Sequence, residues 1–397
     1  MTSNRLLKGF HAVFYSTNAL LIPYLPLLLT ERGFHAWEAG TLLMLGPFLA
    51  MFVQPLAGVL SDRLKAVRPL LFGCWIAQGT AAACLFLSSG RMAAAASLLA
   101  LYIFFLPAVS LLDSLTVKTA IAAGQSYSSI RLWGSVGFTM TGLVLGQMFD
   151  AWGGVDSLMW MYAPIWICLL IGIGFLREAP ADAKEAETVV NLTVLRKALS
   201  VPALLVFLLL VFIVAMPHRM NDALLTLHLS DLGATSAQMS WAWSVAGVSE
   251  VIGFAVMAAW VSRKRMLRLF AIVCGLYAIR WLLYAFVTEP WVVIVMQGAH
   301  AFTYAALWVL SIEFVSSLLP RQLAATAQAL LGMVFLGLAG LAGGMSGGAL
   351  QEAYGGTGMY LYGFVCAAVS TIGFGIWAFR RERAERLRAA SPKATNY

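Results

Sequence analysis

The chain has 397 residues, 61% of them hydrophobic and only 11% charged, where a soluble domain carries roughly 25% charged residues. That composition excludes a soluble globular protein, and the apolar residues run on for about twenty at a time, which excludes the ten-residue alternation of a transmembrane barrel. The formal net charge of +8 resides in the polar segments between those runs, so it reports membrane orientation, not a nucleic-acid surface.

In chain order, the apolar runs predict membrane helices over 9–30, 37–60, 69–89, 92–117, 129–149 and 157–176, and then over 201–229, 238–261, 269–287, 291–318, 323–349 and 357–379. The fold class expected is therefore an all-α integral membrane protein of twelve spans. The first run follows Arg5 and Lys8 and has no small-residue cleavage site, so it is read as a retained helix and not a signal peptide. An even number of crossings puts both termini on one face. Arg5, Lys8, Arg63, Lys65, Arg68, Lys118, Arg263 to Arg268 and the tail from Arg380 to Lys393 all fall to that face, whereas the opposite loops hold Arg32 and Arg91. By the positive-inside rule the shared face is cytoplasmic, and the expected location is the inner, cytoplasmic membrane.

The polar stretch between the sixth and seventh spans divides the chain into an N-terminal six-helix half (1–176), a solvated linker (177–200), a C-terminal six-helix half (201–379) and a basic tail (380–397). An internal repeat supports the division. Ser61 and Ser262, which close the second and eighth spans, lie 201 residues apart, and Asp113 and Glu313 lie 200 apart. Two halves related by a pseudo-two-fold axis, with a cavity between them, is the arrangement such a repeat implies.

Cys74, Cys84, Cys168, Cys274 and Cys366 all lie in apolar runs without CxxC pairing and are read as small buried hydrophobes, neither disulfides nor metal ligands. No phosphate-binding loop, GxSxG or HExxH pattern is present, so an ATP-driven pump or a membrane enzyme has no supporting residue and no cofactor is expected. The spacings Gly142-xxx-Gly146 and Gly340-xxx-Gly344-xxx-Gly348 suit close helix packing within one chain in preference to dimerisation, and a monomer is expected. The chemistry should sit where charge lies deep in apolar sequence, since each such charge costs a few kcal/mol unless paired or hydrated. Asp113, Arg131, Arg219, Asp222, Glu250, Arg280, His300 and Glu313 qualify. Arg219 and Asp222, three residues apart after Pro217, suit a surface pair and a site pair equally.

The loop Gly58-Val-Leu60-Ser61-Asp62-Arg63-Leu-Lys65-Ala-Val-Arg68 resembles the signature loop of the major facilitator superfamily, with Lys65 where that family usually has glycine. Asp113 followed by Arg131-Leu-Trp133-Gly134, then Glu250, Arg280-Trp281 and His300-Ala-Phe302-Thr303, is similar to the phenylpropionate permease-like and oligosaccharide:proton symporter groups of that superfamily. The resemblance implies a proton-coupled uptake permease for a small organic solute, an aromatic acid or a sugar. On the same basis Asp113 and Arg131 would bind solute, with Phe138 where sugar permeases stack a tryptophan and Trp133 and Asn18 completing the site. Glu250, Arg280 and His300 would couple the proton, Glu250 pairing with Arg280 and releasing it on protonation. Thr303 stands where the sugar permeases carry a further carboxylate. Asp62, Arg63 and Glu313 would serve the gate. The rival readings are a drug/proton antiporter and a non-transporting receptor or scaffold. The expected partners are solute, proton and lipid.

Overall fold

In hydrocarbon a backbone can satisfy its own N–H and C=O groups only as a helix or a closed barrel. The computed structural model, which describes residues 2–122, 124, 126–176, 196–197, 199–260, 266–318 and 324–390, is helical almost throughout, with no strand among those residues. The helices are α1 (Thr2–Glu31), α2 (Ala36–Leu64), α3 (Arg68–Leu87), α4 (Arg91–Ala122), α5 (Tyr127–Phe149), α6 (Leu158–Phe175), α7 (Pro202–Asp231), α8 (Ser236–Trp260), α9 (Met266–Tyr284), α10 (Pro290–Met296), α11 (Tyr304–Leu318), α12 (Ala324–Gly332) and α13 (Ala339–Ala390). A 3₁₀ turn, Gln297–Ala301, joins α10 to α11, and a π-helical segment, Met333–Leu338, joins α12 to α13. Most of the predicted linker, 177–195 and residue 198, lies outside the described residues. Helix α13 continues to Ala390, so the described part of the predicted basic tail is helical.

Among the described residues, ten stretches are long and apolar enough to cross a membrane. Helix α5 is not among them, because Ser128, Ser129, Arg131, Ser135, Thr139 and Thr141 dilute its apolar residues. The last stretch, Thr326–Leu387, counts once although it folds back on itself. Its one non-helical residue is Gly355, at φ 65° and ψ −168°. Gly343 meets Met216 and Gly347 meets Met220, advancing along α7 with the chain, whereas Gly356 meets His228, Gly363 meets Pro217 and Gly373 meets Leu210, running back along it. The chain therefore reverses at Gly355, in a left-handed conformation that glycine adopts without a steric penalty.

The outward faces carry exposed Leu, Ile, Val and Phe side chains, as a lipid-facing surface requires. Helix approach is set by glycine. A Cβ on Gly137 of α5 would lie 2.0 Å from the carbonyl oxygen of Ala12 in α1, and one on Gly344 of α13 would lie 2.3 Å from that of Gly40 in α2. Both glycine stripes thus pack inside the chain, Gly344 and Gly348 against α2 and Gly142 and Gly146 against α8.

Candidate functional site

The helices enclose a cavity of about 1510 Å³, walled by α1, α2, α4, α5, α7, α8, the turn before α11, the start of α11, α12 and the π-helical segment after it. Its shape follows from the helix crossings. At the end where α1 finishes and α2 begins, the backbones of α2 and α13 touch through Gly40, Gly344 and Gly348, whereas farther along α2 the side chains of Phe48 and Met51 stand between Gly337 and that helix. Helices α5 and α8 diverge in the same sense, from Gly146 against Ser240 to a wall shared by Arg131 and Glu250. The cavity wall reaches Tyr127 and Ser128 at the first turn of α5 and Thr326 near the start of α12. The cavity is therefore open at the end holding the N-terminus of α1 and closed at the other.

Polar groups secure the closed end. The Tyr24 hydroxyl lies 2.7 Å from Ser240 Oγ and donates to the Ser236 carbonyl at 3.2 Å, while its ring stacks on Phe149 at 3.8 Å. Beside it, the Asp150 carboxylate at the end of α5 accepts from the hydroxyl and the backbone N–H of Ser236, the first residue of α8. A carboxylate there satisfies an orphan N–H and faces the positive end of the helix dipole.

Within the cavity, the guanidinium of Arg131 lies over the Tyr15 ring, 3.8 Å from its centroid, and makes no ion pair among the described residues. Asn18, Phe138 and Trp243 share the wall with it. Asp113 and Arg131, expected to bind solute together, form no ion pair with each other. Asp113 instead accepts from the Tyr127 hydroxyl at 2.9 Å, and Tyr127, not Asp113, lines the cavity. Trp133 is a correction. It is 43% exposed and absent from the wall, because two residues past Arg131 is over half a turn around the helix.

On the facing wall, Glu250 lines the cavity with no hydrogen bond or ion pair to its carboxylate among the described residues. The expected Glu250–Arg280 pair is not formed. Arg280, 2% exposed, donates to Gln297 Oε1 at 2.6 Å, Thr303 Oγ1 at 3.0 Å, His300 Nδ1 at 3.1 Å and the Tyr284 hydroxyl at 3.2 Å, with Trp281 and Tyr284 beneath it. A guanidinium only donates, so His300 accepts at Nδ1 and its proton resides on Nε2. Thr303 here holds Arg280 where the sugar permeases have an acid. The 3₁₀ turn that carries His300 is pressed against α8 at Gly253, where a Cβ would lie 2.6 Å from Ala301 Cα. Irregular backbone at this depth is tolerated where it lines a cavity.

Arg219 and Asp222 are a cavity pair and not a surface pair. Arg219 Nη1 donates to Asp222 Oδ2 at 2.6 Å, His218 Nε2 lies 3.6 Å from the same oxygen, and all three residues line the cavity. His218 escaped sequence reasoning, although its i,i+4 spacing to Asp222 carried a signal; Tyr15 and Tyr304 gave none. His218, Asp222 and His300 bring their ligand atoms within 4.8 Å of one another. A cation there would compete with Arg219, whose Nη1 already donates to the Asp222 carboxylate. Of the predicted gate residues, Arg63 is exposed in the last turn of α2, Glu313 lies in α11 in contact with other groups, and the side chain of Asp62 lies outside the described residues.

The sequence from residue 5 to residue 362 matches the profile of the MFS_1-like family. The chain belongs to that family. It is a multi-pass membrane transporter protein of the major facilitator type and not an enzyme. This transporter is 24% identical over 336 residues to the uncharacterized transporter YwbF of Bacillus subtilis (strain 168), across 81% of this chain and 80% of that protein. It is 26% identical over 369 residues to the maltose permease of Geobacillus stearothermophilus, across 91% of each. The crystal structure of the nucleoside transporter NupG superposes with a TM-score of 0.82 over 96% of this chain and 99% of that one, at 17% identity, a likeness of fold.

Proposed function

We propose that this protein is a proton-coupled symporter for a small polar organic solute, a sugar or an aromatic acid, working by alternating access between two six-helix halves, 1–176 and 201–379. In this reading the chain crosses the inner membrane twelve times, with α5 as the fifth crossing, α10 and α11 as one broken crossing, and Gly355 at the turn between the last two. Both termini are cytoplasmic, which makes the conformation seen here inward-open.

The observation that carries the reading is the unequal state of the two cavity carboxylates. Asp222 is already bound by Arg219, while Glu250 faces the cavity with no hydrogen bond or ion pair to its carboxylate among the described residues. A carboxyl that no guanidinium contacts directly can take a proton as the cavity opens to one side and release it on the other. Arg131, opposite, offers N–H donors to a hydroxyl or carboxylate of the solute, with the ring of Phe138 for its apolar side. Asp113 acts on the site through Tyr127. One proton carried inward gains about 2.3 kcal/mol per 100 mV, enough for roughly a fifty-fold solute gradient. The 26%-identical maltose permease favours the sugar within this class.

The test is Glu250→Gln in proteoliposomes, with a galactoside and phenylpropionate as probes. Counterflow should persist, and accumulation driven by an imposed pH gradient should be lost. A variant that still accumulates solute would place the proton elsewhere, with Asp222 and Asp113 next.

A further inference from the structure

The last helix carries a second pattern that the transport reading does not use. Beyond Gly355, its exposed side chains repeat at alternating four- and three-residue steps: Val365, Val369, Ile372, Ile376 and Phe379, between 47% and 67% exposed. That is the outward stripe of a helix against lipid. The next two steps are Arg383 and Arg386, and Arg380 lies next to the stripe. All three are exposed, and among the described residues none makes an ion pair or hydrogen bond. The acids of this segment face elsewhere. Glu382 pairs with Arg268 at the start of α9, and Glu385 accepts from Arg381 at 3.1 Å. Three guanidiniums without counter-charges among the described residues therefore continue the lipid-facing stripe directly past its apolar end. At 1.5 Å per residue, Arg383 and Arg386 stand about 6–10 Å beyond Phe379, the depth of the headgroup layer, and their stems can lie back along it.

We infer that Arg380, Arg383 and Arg386 form a binding site for anionic phospholipid headgroups at the membrane surface, anchoring the last helix. A phosphodiester is drawn by the clustered positive charge, and each basic residue near an anionic surface contributes about five-fold in affinity, equivalent to about 1 kcal/mol. Arg268 and Arg381, already paired within the protein, take no part.

The experiment is thermal denaturation of the full chain in neutral detergent, titrated separately with phosphatidylglycerol, phosphatidylcholine and inorganic phosphate. Phosphatidylglycerol should raise the midpoint by a few degrees and the other two should not. The triple variant R380Q/R383Q/R386Q should lose at least half of that shift, R380K/R383K/R386K should keep most of it, and R381Q should keep all of it. The site is overturned if the triple glutamine variant responds as the wild type does, if R381Q loses as much, or if inorganic phosphate alone reproduces the shift.

Discussion

Arg131 illustrates how a single side chain can hold two roles at once. Its guanidinium lies over the Tyr15 ring, and the residue lines the cavity. Lysine preserves the charge but loses both the flat face and the fork. Arg131→Lys should therefore leave the fold intact and weaken solute binding by about 2–3 kcal/mol, on the order of a hundred-fold. Ligand-induced thermal stabilisation of the purified variant measures this, and wild-type affinity would remove Arg131 from the site. Lys65 poses the opposite problem. It stands at φ 49° just past the end of α2, the left-handed position that closes a helix and that glycine ordinarily fills. Lys65→Gly should raise stability by about 0.5–1 kcal/mol, read as a higher unfolding midpoint with unchanged transport. An unchanged or lower midpoint would show that this turn carries no strain.

At the scale of elements, the crossings decide which end of the cavity is shut. Helices α2 and α13 touch backbone to backbone only because Gly40 and Gly344 have no side chains, so a methyl group at either must push the helices apart. Gly344→Ala should cost about 1–3 kcal/mol of the closed-end contact by overpacking and shift the population toward opening at that end. In a background without native cysteines, Leu21→Cys on the cavity wall should then react faster with a membrane-impermeant thiol reagent added from the closed side. Equal labelling rates with and without the alanine would mean that this contact does not govern access. The irregular segments follow the same logic: the 3₁₀ turn bearing His300 and the π segment Met333–Leu338 both border the cavity, where strained or re-aimed backbone can be tolerated for function.

For the molecule as a whole, transport by rocking requires α5 and α8 to separate at the closed end. A Cβ on Gly142 would lie 3.5 Å from Ser244 Oγ, close to disulfide geometry. Oxidised Gly142→Cys/Ser244→Cys, again without the native cysteines, should bind solute from the open side yet fail to transport it, with reduction restoring turnover. Undiminished transport by the cross-linked protein would exclude separation of α5 from α8 as part of the cycle. The sequence alone determined that the chain is a helical membrane protein of a transporter family, and it singled out Arg131, Asn18, Phe138, Glu250 and His300, which the fold brings to one cavity wall, because apolar run length and the cost of buried charge are local properties of the chain. It also singled out the glycine stripes, since small residues at four-residue spacing serve close packing wherever they occur. Tertiary structure decided which charges meet: Arg280 with His300, Gln297 and Thr303 and not with Glu250, Asp113 with Tyr127 and not with Arg131, and Trp133 turned away from the cavity. It decided too which end of the cavity is open. Those outcomes depend on helix rotation and crossing angle, which shift a side chain by ångströms between neighbours of similar chemistry, and no spacing along one helix encodes its rotation against another.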